Sequence, residues 1–153
     1  MMITDILARE RVLPELAGST KAEVLEELAA MLDADLPGIG VTPIVDVLRE
    51  RERLNSTAIG DGIAIPHGRV SKIENVVAGF ARSSAGVEFD SVDRKPTHLF
   101  FVLLAPDDAA ALHLKALARI SRLLKDRDFR GRLISLDTRD ALFEAILAED
   151  AKF

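Results

Sequence analysis

The stretch Leu99 to Ala105, LFFVLLA, contains no polar side chain. It is far too short to cross a bilayer, which takes about 20 residues. A short, wholly apolar run of this kind fits a strand covered on both faces rather than one that alternates between core and water. A sheet built around such a strand must carry an apolar layer on each side. The expected fold is therefore a three-layer α/β/α domain with a central mixed sheet, and residues 1–153 are expected to form one domain, a length that supports one substantial core. The pattern alone does not assign strand directions.

The remaining chain divides around that strand. Val12 to Leu16 reads as a short first strand. Thr20 and Glu23 form a capping-box pair ahead of an apolar stripe of Val24, Leu25, Leu28, Ala29 and Leu32. Pro37, Gly38 and Gly40 end that helix. Thr42 can cap the next helix with Pro43 in its first position, where a missing N–H costs little. Ile44, Val47, Leu48 and Arg51 share a face of this second helix, which ends near Arg53 to Asn55. Asn55 to Gly68 is irregular and glycine-rich, with Ile63 to Ile65 as a short strand. Asn75 to Arg82 and His98 to Ala105 read as strands, Leu112 to Leu124 and Asp128 to Ile134 as helices. Asp137 or Thr138 caps a last helix with the stripe Leu142, Phe143, Ile146 and Leu147. The element order is β-αα-βββ-ααα.

Charge and composition exclude several functions. A net charge of -5 argues against a nucleic-acid binder, which needs clustered Lys and Arg. With no cysteine, disulfides, thiolate catalysis and Cys-based metal sites are ruled out. The segment Met1 to Val12 carries Asp5, Arg9, Glu10 and Arg11 and lacks the apolar core of a signal peptide, so a cytoplasmic protein without membrane insertion is expected. The phosphate loop of nucleotide-binding proteins, a zinc-protease helix motif and the kinase motifs are all missing, and no cofactor or metal is expected.

Three histidines remain as candidates for chemistry. His67 lies in GIAIPHG, where Pro66 fixes the local backbone and Gly68 has no side chain to shield the ring. A neutral imidazole is a good nucleophile near neutral pH because its ordinary pKa is about 6.5. Gly60, Gly62 and Gly68 leave backbone N–H groups approachable by an anion. Local chemistry alone reads the segment equally well as a turn that contains a histidine. His113 opens a helix on the face of Leu117, Ile120 and Leu124, where a core histidine is the commoner reading, although a helix N-terminus suits an anion. His98 reads as a polar residue at the mouth of its strand. Arg51 is either a solvated cation at a helix C-terminus or a two-pronged phosphate clamp. Its neighbours Arg49, Glu50, Glu52 and Arg53 read as surface charge. Ser56 and Thr57 offer hydroxyls to a phosphate or simply shape a turn.

The segment RERLNSTAIGDGIAIPHG, Arg51 to Gly68, resembles the active-site signature of the mannitol/fructose-type IIA domains of the bacterial phosphotransferase system. FDSVDRKPTHLFFVLLAP and DAAALHLKALARISRLL resemble two further blocks of that family, so the likeness runs from about residue 3 to 148. GIAIPHG and HLKALARISRLL are most similar to the stand-alone nitrogen-regulatory IIA proteins. The resemblance implies that His67 accepts a phosphoryl group, on Nε2, from an HPr-like phosphocarrier charged through enzyme I and phosphoenolpyruvate. It implies that His113 and Arg51 hold the phosphoryl oxygens; from their own chemistry, Ser56, Thr57 and Gly68 are expected to support the site. It further implies regulatory targets such as potassium-transport proteins or sensor kinases. Asn55 departs from the family's usual glycine before Ser-Thr, and its tolerance of positive φ would preserve a turn there. Three other readings compete: a sugar-specific IIA component passing phosphate to a IIB domain, a binding module that takes no phosphate, and a hydrolase using Ser56 with His67.

Overall fold

The computed structural model describes residues 1–36 and 38–153; Pro37, expected to help end the first helix, lies outside them. A 3-10 turn at Ile3–Asp5 leads into β1 (Leu7–Leu13), α1 (Lys21–Asp35) and α2 (Val41–Leu54). Three short strands follow, β2 (Ala58–Gly60), β3 (Ile63–Ala64) and β4 (His67–Arg69). The long strands β5 (Val77–Val87) and β6 (Thr97–Ala105) precede α3 (Ala110–Leu123), α4 (Arg127–Ser135) and α5 (Arg139–Asp150). The strand and helix order is the one expected, with the irregular middle segment resolved into three strands rather than one.

The apolar run forms the heart of a mixed sheet. The strand order is β1-β5-β6-β3-β2, with β4 also paired to β6. β5 and β2 run antiparallel to β6 and β3 respectively, while β1, β3 and β4 pair in parallel fashion with β5, β6 and β6. Successive residues of β6 point to opposite faces. Leu99, Phe101, Leu103 and Ala105 join a core with Ala116, Ile120, Leu123, Phe129, Leu142 and Ile146 from α3, α4 and α5. Phe100, Val102 and Leu104 join a second core with Val24, Leu28, Leu32, Ile44 and Leu48 from α1 and α2. The result is the three-layer α/β/α arrangement that an all-apolar strand demands.

Several boundaries differ from the sequence reading, each for a physical reason. The first strand is Leu7–Leu13, not Val12 to Leu16. Arg9, Glu10 and Arg11 disguise it, yet Arg11 is buried, donating to the carbonyls of Ala78 and Ile6 and pairing with Asp35. α2 starts at Val41 behind Gly40 (φ 95°), not behind a Thr42 cap. Pro43 is then its third residue, still among the first-turn positions whose N–H has no helical partner. Gly40 N–H donates instead to Asp33 Oδ1 at 2.9 Å. At α1, α4 and α5 the caps are side chains: Thr20 with Glu23 reciprocally, Asp126 on Phe129 N and Thr138, not Asp137, on Ala141 N, whereas α3 starts behind Ala109 without one.

Candidate functional site

His67 is the first residue of β4 and pairs with Leu103 of β6. The preceding Pro66 carbonyl accepts Leu103 N–H at 2.9 Å, so the end of the apolar strand fixes where the histidine begins. Helix α2 then closes over this point. A Cβ built on Gly68 would lie 2.1 Å from Val47 Cγ1, so only glycine allows α2 and β4 to approach this closely. Arg51 stands one helical turn beyond Val47, on the same face. The packing that requires glycine at position 68 therefore delivers the guanidinium to the imidazole.

The hydrogen bonds of His67 fix its tautomer. Nδ1 lies 2.6 Å from the Ile65 carbonyl, which can only accept, so Nδ1 carries the proton. Nε2 is left with its lone pair and accepts from Arg51 Nε at 3.2 Å. Burial, the largest influence, and the Arg51 charge push the His67 pKa below its ordinary 6.5, against an opposing pull from the Ile65 carbonyl and Glu52. At neutral pH the ring is uncharged with a nucleophilic Nε2.

His113, the fourth residue of α3, is buried beside it. The two imidazole centroids are 5.4 Å apart at 76°, an edge-to-face arrangement. Burial, with the nearby His67 and Arg69 charges, lowers the His113 pKa to about 4. Its Nε2 is enclosed and has no hydrogen-bond partner among the described residues. A buried polar atom left in this condition calls for a partner, and a phosphoryl oxygen arriving beside His67 would provide one.

The structure thus brings His67, His113 and Arg51 together, and Gly68 with them. Ser56 and Thr57 are placed differently. Ser56 Oγ donates to the Phe89 carbonyl at 2.6 Å and accepts from Ala58 N, so the hydrogen it would lend to a nucleophile pair with His67 is committed elsewhere. Thr57 is buried, and both its hydroxyl and its N–H donate to the Glu52 carboxylate. Gly60 and Gly62 serve the tight β2–β3 connection, at φ 97° and 76° on either side of Asp61 at 58°. His98 sits at its strand mouth with Nδ1 2.8 Å from the Ser83 carbonyl.

Three residues of the site escaped the sequence reading. Glu52, taken as surface charge, has a side chain only 6% exposed and pairs with Lys21 at 2.8 Å. Its capping of Thr57 holds the loop that follows α2. Arg69 brings a second cation close enough to lower the His113 pKa; its position two residues after His67 in a strand, hence on the same side, was the available signal. Asn55 does not occupy a positive-φ turn: its φ of -170° is extended backbone open to any residue. Its carbonyl and its side-chain Oδ1 instead both accept from Arg51 Nη1, each at 3.0 Å.

Comparison with known proteins identifies the family and the fold. Residues 5–149 match the family model described as phosphoenolpyruvate-dependent sugar phosphotransferase system, EIIA 2. A nitrogen regulatory protein of Bradyrhizobium diazoefficiens is 44% identical over 146 residues, covering 95% of each chain. One from Pseudomonas aeruginosa is 37% identical over 145 residues, covering 95% of this chain and 94% of that one. Among solved structures, nitrogen regulatory protein IIA-Ntr from Neisseria meningitidis superposes with a TM-score of 0.87 at 28% identity, covering 94% of this chain and 98% of that one. Among the described residues no helix is long and apolar enough to cross a membrane. With a matching sequence model, near-full-length relatives and the same fold, this chain belongs to the type-2 EIIA family of the phosphoenolpyruvate-dependent phosphotransferase system.

Proposed function

We propose that this chain is a phosphoryl carrier of a nitrogen-regulatory phosphotransferase system, charged on His67 Nε2 by an HPr-like phosphocarrier. The observation that carries this reading is the tautomer lock: Nδ1–H is held by the Ile65 carbonyl, and the lone pair of Nε2 faces Arg51.

The transfer balances without a metal or a base. Nε2 attacks phosphorus in line as the phosphorus–nitrogen bond of the donor's phosphohistidine breaks, and the donor imidazole leaves with that electron pair. His67 keeps its Nδ1 proton, and the Ile65 carbonyl stabilises the charge that develops on the ring. Arg51 and the His113 ring stabilise the equatorial oxygens, the usual protein contribution to phosphoryl transfer. With Nδ1 still protonated, the transferred group adds a net charge of about -1, and about -2 once that proton leaves, beside Arg51 and Arg69 in a protein of net charge -5. That change alters the docking surface without a change of fold.

The near-full-length relatives that bear the name nitrogen regulatory protein favour the regulatory over the sugar-specific reading. In this account the phosphorylation state decides which target is engaged, with potassium-transport proteins and sensor kinases as the candidate classes. Histidine-selective 15N labelling followed by NMR after incubation with a charged HPr-like carrier tests the site. The expected product has phosphorus on Nε2 of His67; phosphorus on His113, or on no histidine, overturns the assignment.

A further inference from the structure

We propose that Asn55 is a positioning residue for Arg51, anchoring one side of the guanidinium so that the other side is kept for the phosphoryl group. The inference rests on the reading of His67 as the phosphoryl acceptor.

A guanidinium has five N–H donors in a fixed plane. Here Nε–H goes to His67 Nε2, and the two protons of Nη1 go to the Asn55 carbonyl and to Asn55 Oδ1. The two protons of Nη2 have no partner among the described residues. Nε–H and the adjacent Nη2 form the side-on edge that can grip two oxygens at once. Two acceptors on Nη1 fix that end of the fork, whereas the carbonyl alone would leave Nη1 a single contact, and the whole guanidinium a single contact once His67 Nε2 is no longer an acceptor. Asn55 is exposed and its backbone is extended, so nothing in the local conformation requires asparagine. Its side chain is accounted for by the contact with Arg51.

The anchor matters most when the state of His67 changes. Once Nε2 bonds to phosphorus it has no lone pair left, and Arg51 Nε–H loses its acceptor. With Nη1 held by Asn55, the guanidinium can only pivot, carrying the Nε–Nη2 edge from the ring nitrogen onto the phosphoryl oxygens. Without the side-chain acceptor the fork must find that pose each time.

The test compares wild type, Asn55→Ala and Asn55→Asp in two measurements. In rapid-quench phosphoryl transfer from a charged HPr-like carrier, Asn55→Ala is expected to reach a full equivalent about tenfold more slowly, the effect of one lost charge-assisted hydrogen bond. Without any donor present, NMR of the arginine Nε–H groups is expected to show Arg51 exchanging with water faster in Asn55→Ala. Asn55→Asp, which keeps an acceptor at the same place, is expected to restore the slow exchange. A wild-type rate in Asn55→Ala, or an Arg51 Nε–H that exchanges equally slowly there, overturns the proposal. A wild-type chain that takes no phosphate overturns the carrier reading instead, and the exchange measurement still decides whether Asn55 holds Arg51.

Discussion

At the scale of single residues, the site depends on two imidazoles kept neutral. Both His67 and His113 titrate below the ordinary 6.5, chiefly because burial disfavours the charged ring. NMR titration should place His113 near 4 and His67 below 6.5. A value above 6.5 for His67 would contradict the neutral nucleophile. The same shifts bear on stability. The unfolded chain binds the extra protons first, so stability from the neutral rings is complete above about pH 6.5 and is lost as pH falls, for His113 down to about 4. The urea midpoint should accordingly drop more steeply on acidification for wild type than for His113→Gln. Arg51 acts through geometry as well as charge. Lysine would keep the cation but lose the fork that reaches Nε2 and Asn55 together, and Arg51→Lys should slow phosphoryl acceptance by about 100-fold.

At the scale of elements, the contact between α2 and β4 sets the distance between Arg51 and His67. Gly68→Ala drives a methyl into Val47 and should cost about 1–3 kcal/mol in chemical denaturation, with slower phosphate uptake because Arg51 rides on the same helix. The double variant with Val47→Ala should recover part of both losses; no recovery would place the defect elsewhere. This contact also shows what was and was not legible beforehand. The apolar strand β6 and the α1 capping box announce themselves, because burial on both faces and reciprocal capping leave local patterns. β1 was hidden, because its charged residues are satisfied by partners distant in sequence, as Arg11 is by Ala78. The residues 58–69 were hidden for another reason: strands of two or three residues carry no periodicity, and only their pairing with β3's neighbour β6 and with each other makes them strands. His67 and Arg51 were visible by motif. Glu52 and Asn55 were not, since their roles arise from where α2 stops.

At the scale of the whole molecule, both ends of the chain are tied together away from the site. Asp150, fully buried, accepts from Ile3 N at 2.8 Å and from Arg119 Nε at 2.7 Å. Asp150→Asn should cost about 3 kcal/mol by leaving Arg119 without its anion. It should not change the amount of phosphate taken up, because the clasp holds α3 at Arg119, six residues beyond His113, and leaves α2 and β4 untouched. A loss of uptake in a variant that remains folded would show that the two regions are coupled. The layered architecture thus separates what holds the chain from what it presents: two cores flank the sheet, and the proposed phosphoryl site lies where β4, α2 and the start of α3 meet.

Intact mass decides whether His67 carries a phosphoryl group. The wild-type chain and His67→Ala are incubated with enzyme I, an HPr-like carrier and phosphoenolpyruvate. Wild type should gain one acid-labile phosphoryl group, and the folded variant should gain none. A full equivalent on His67→Ala, or none on wild type beside a carrier shown to be charged, would contradict His67 as the phosphoryl carrier.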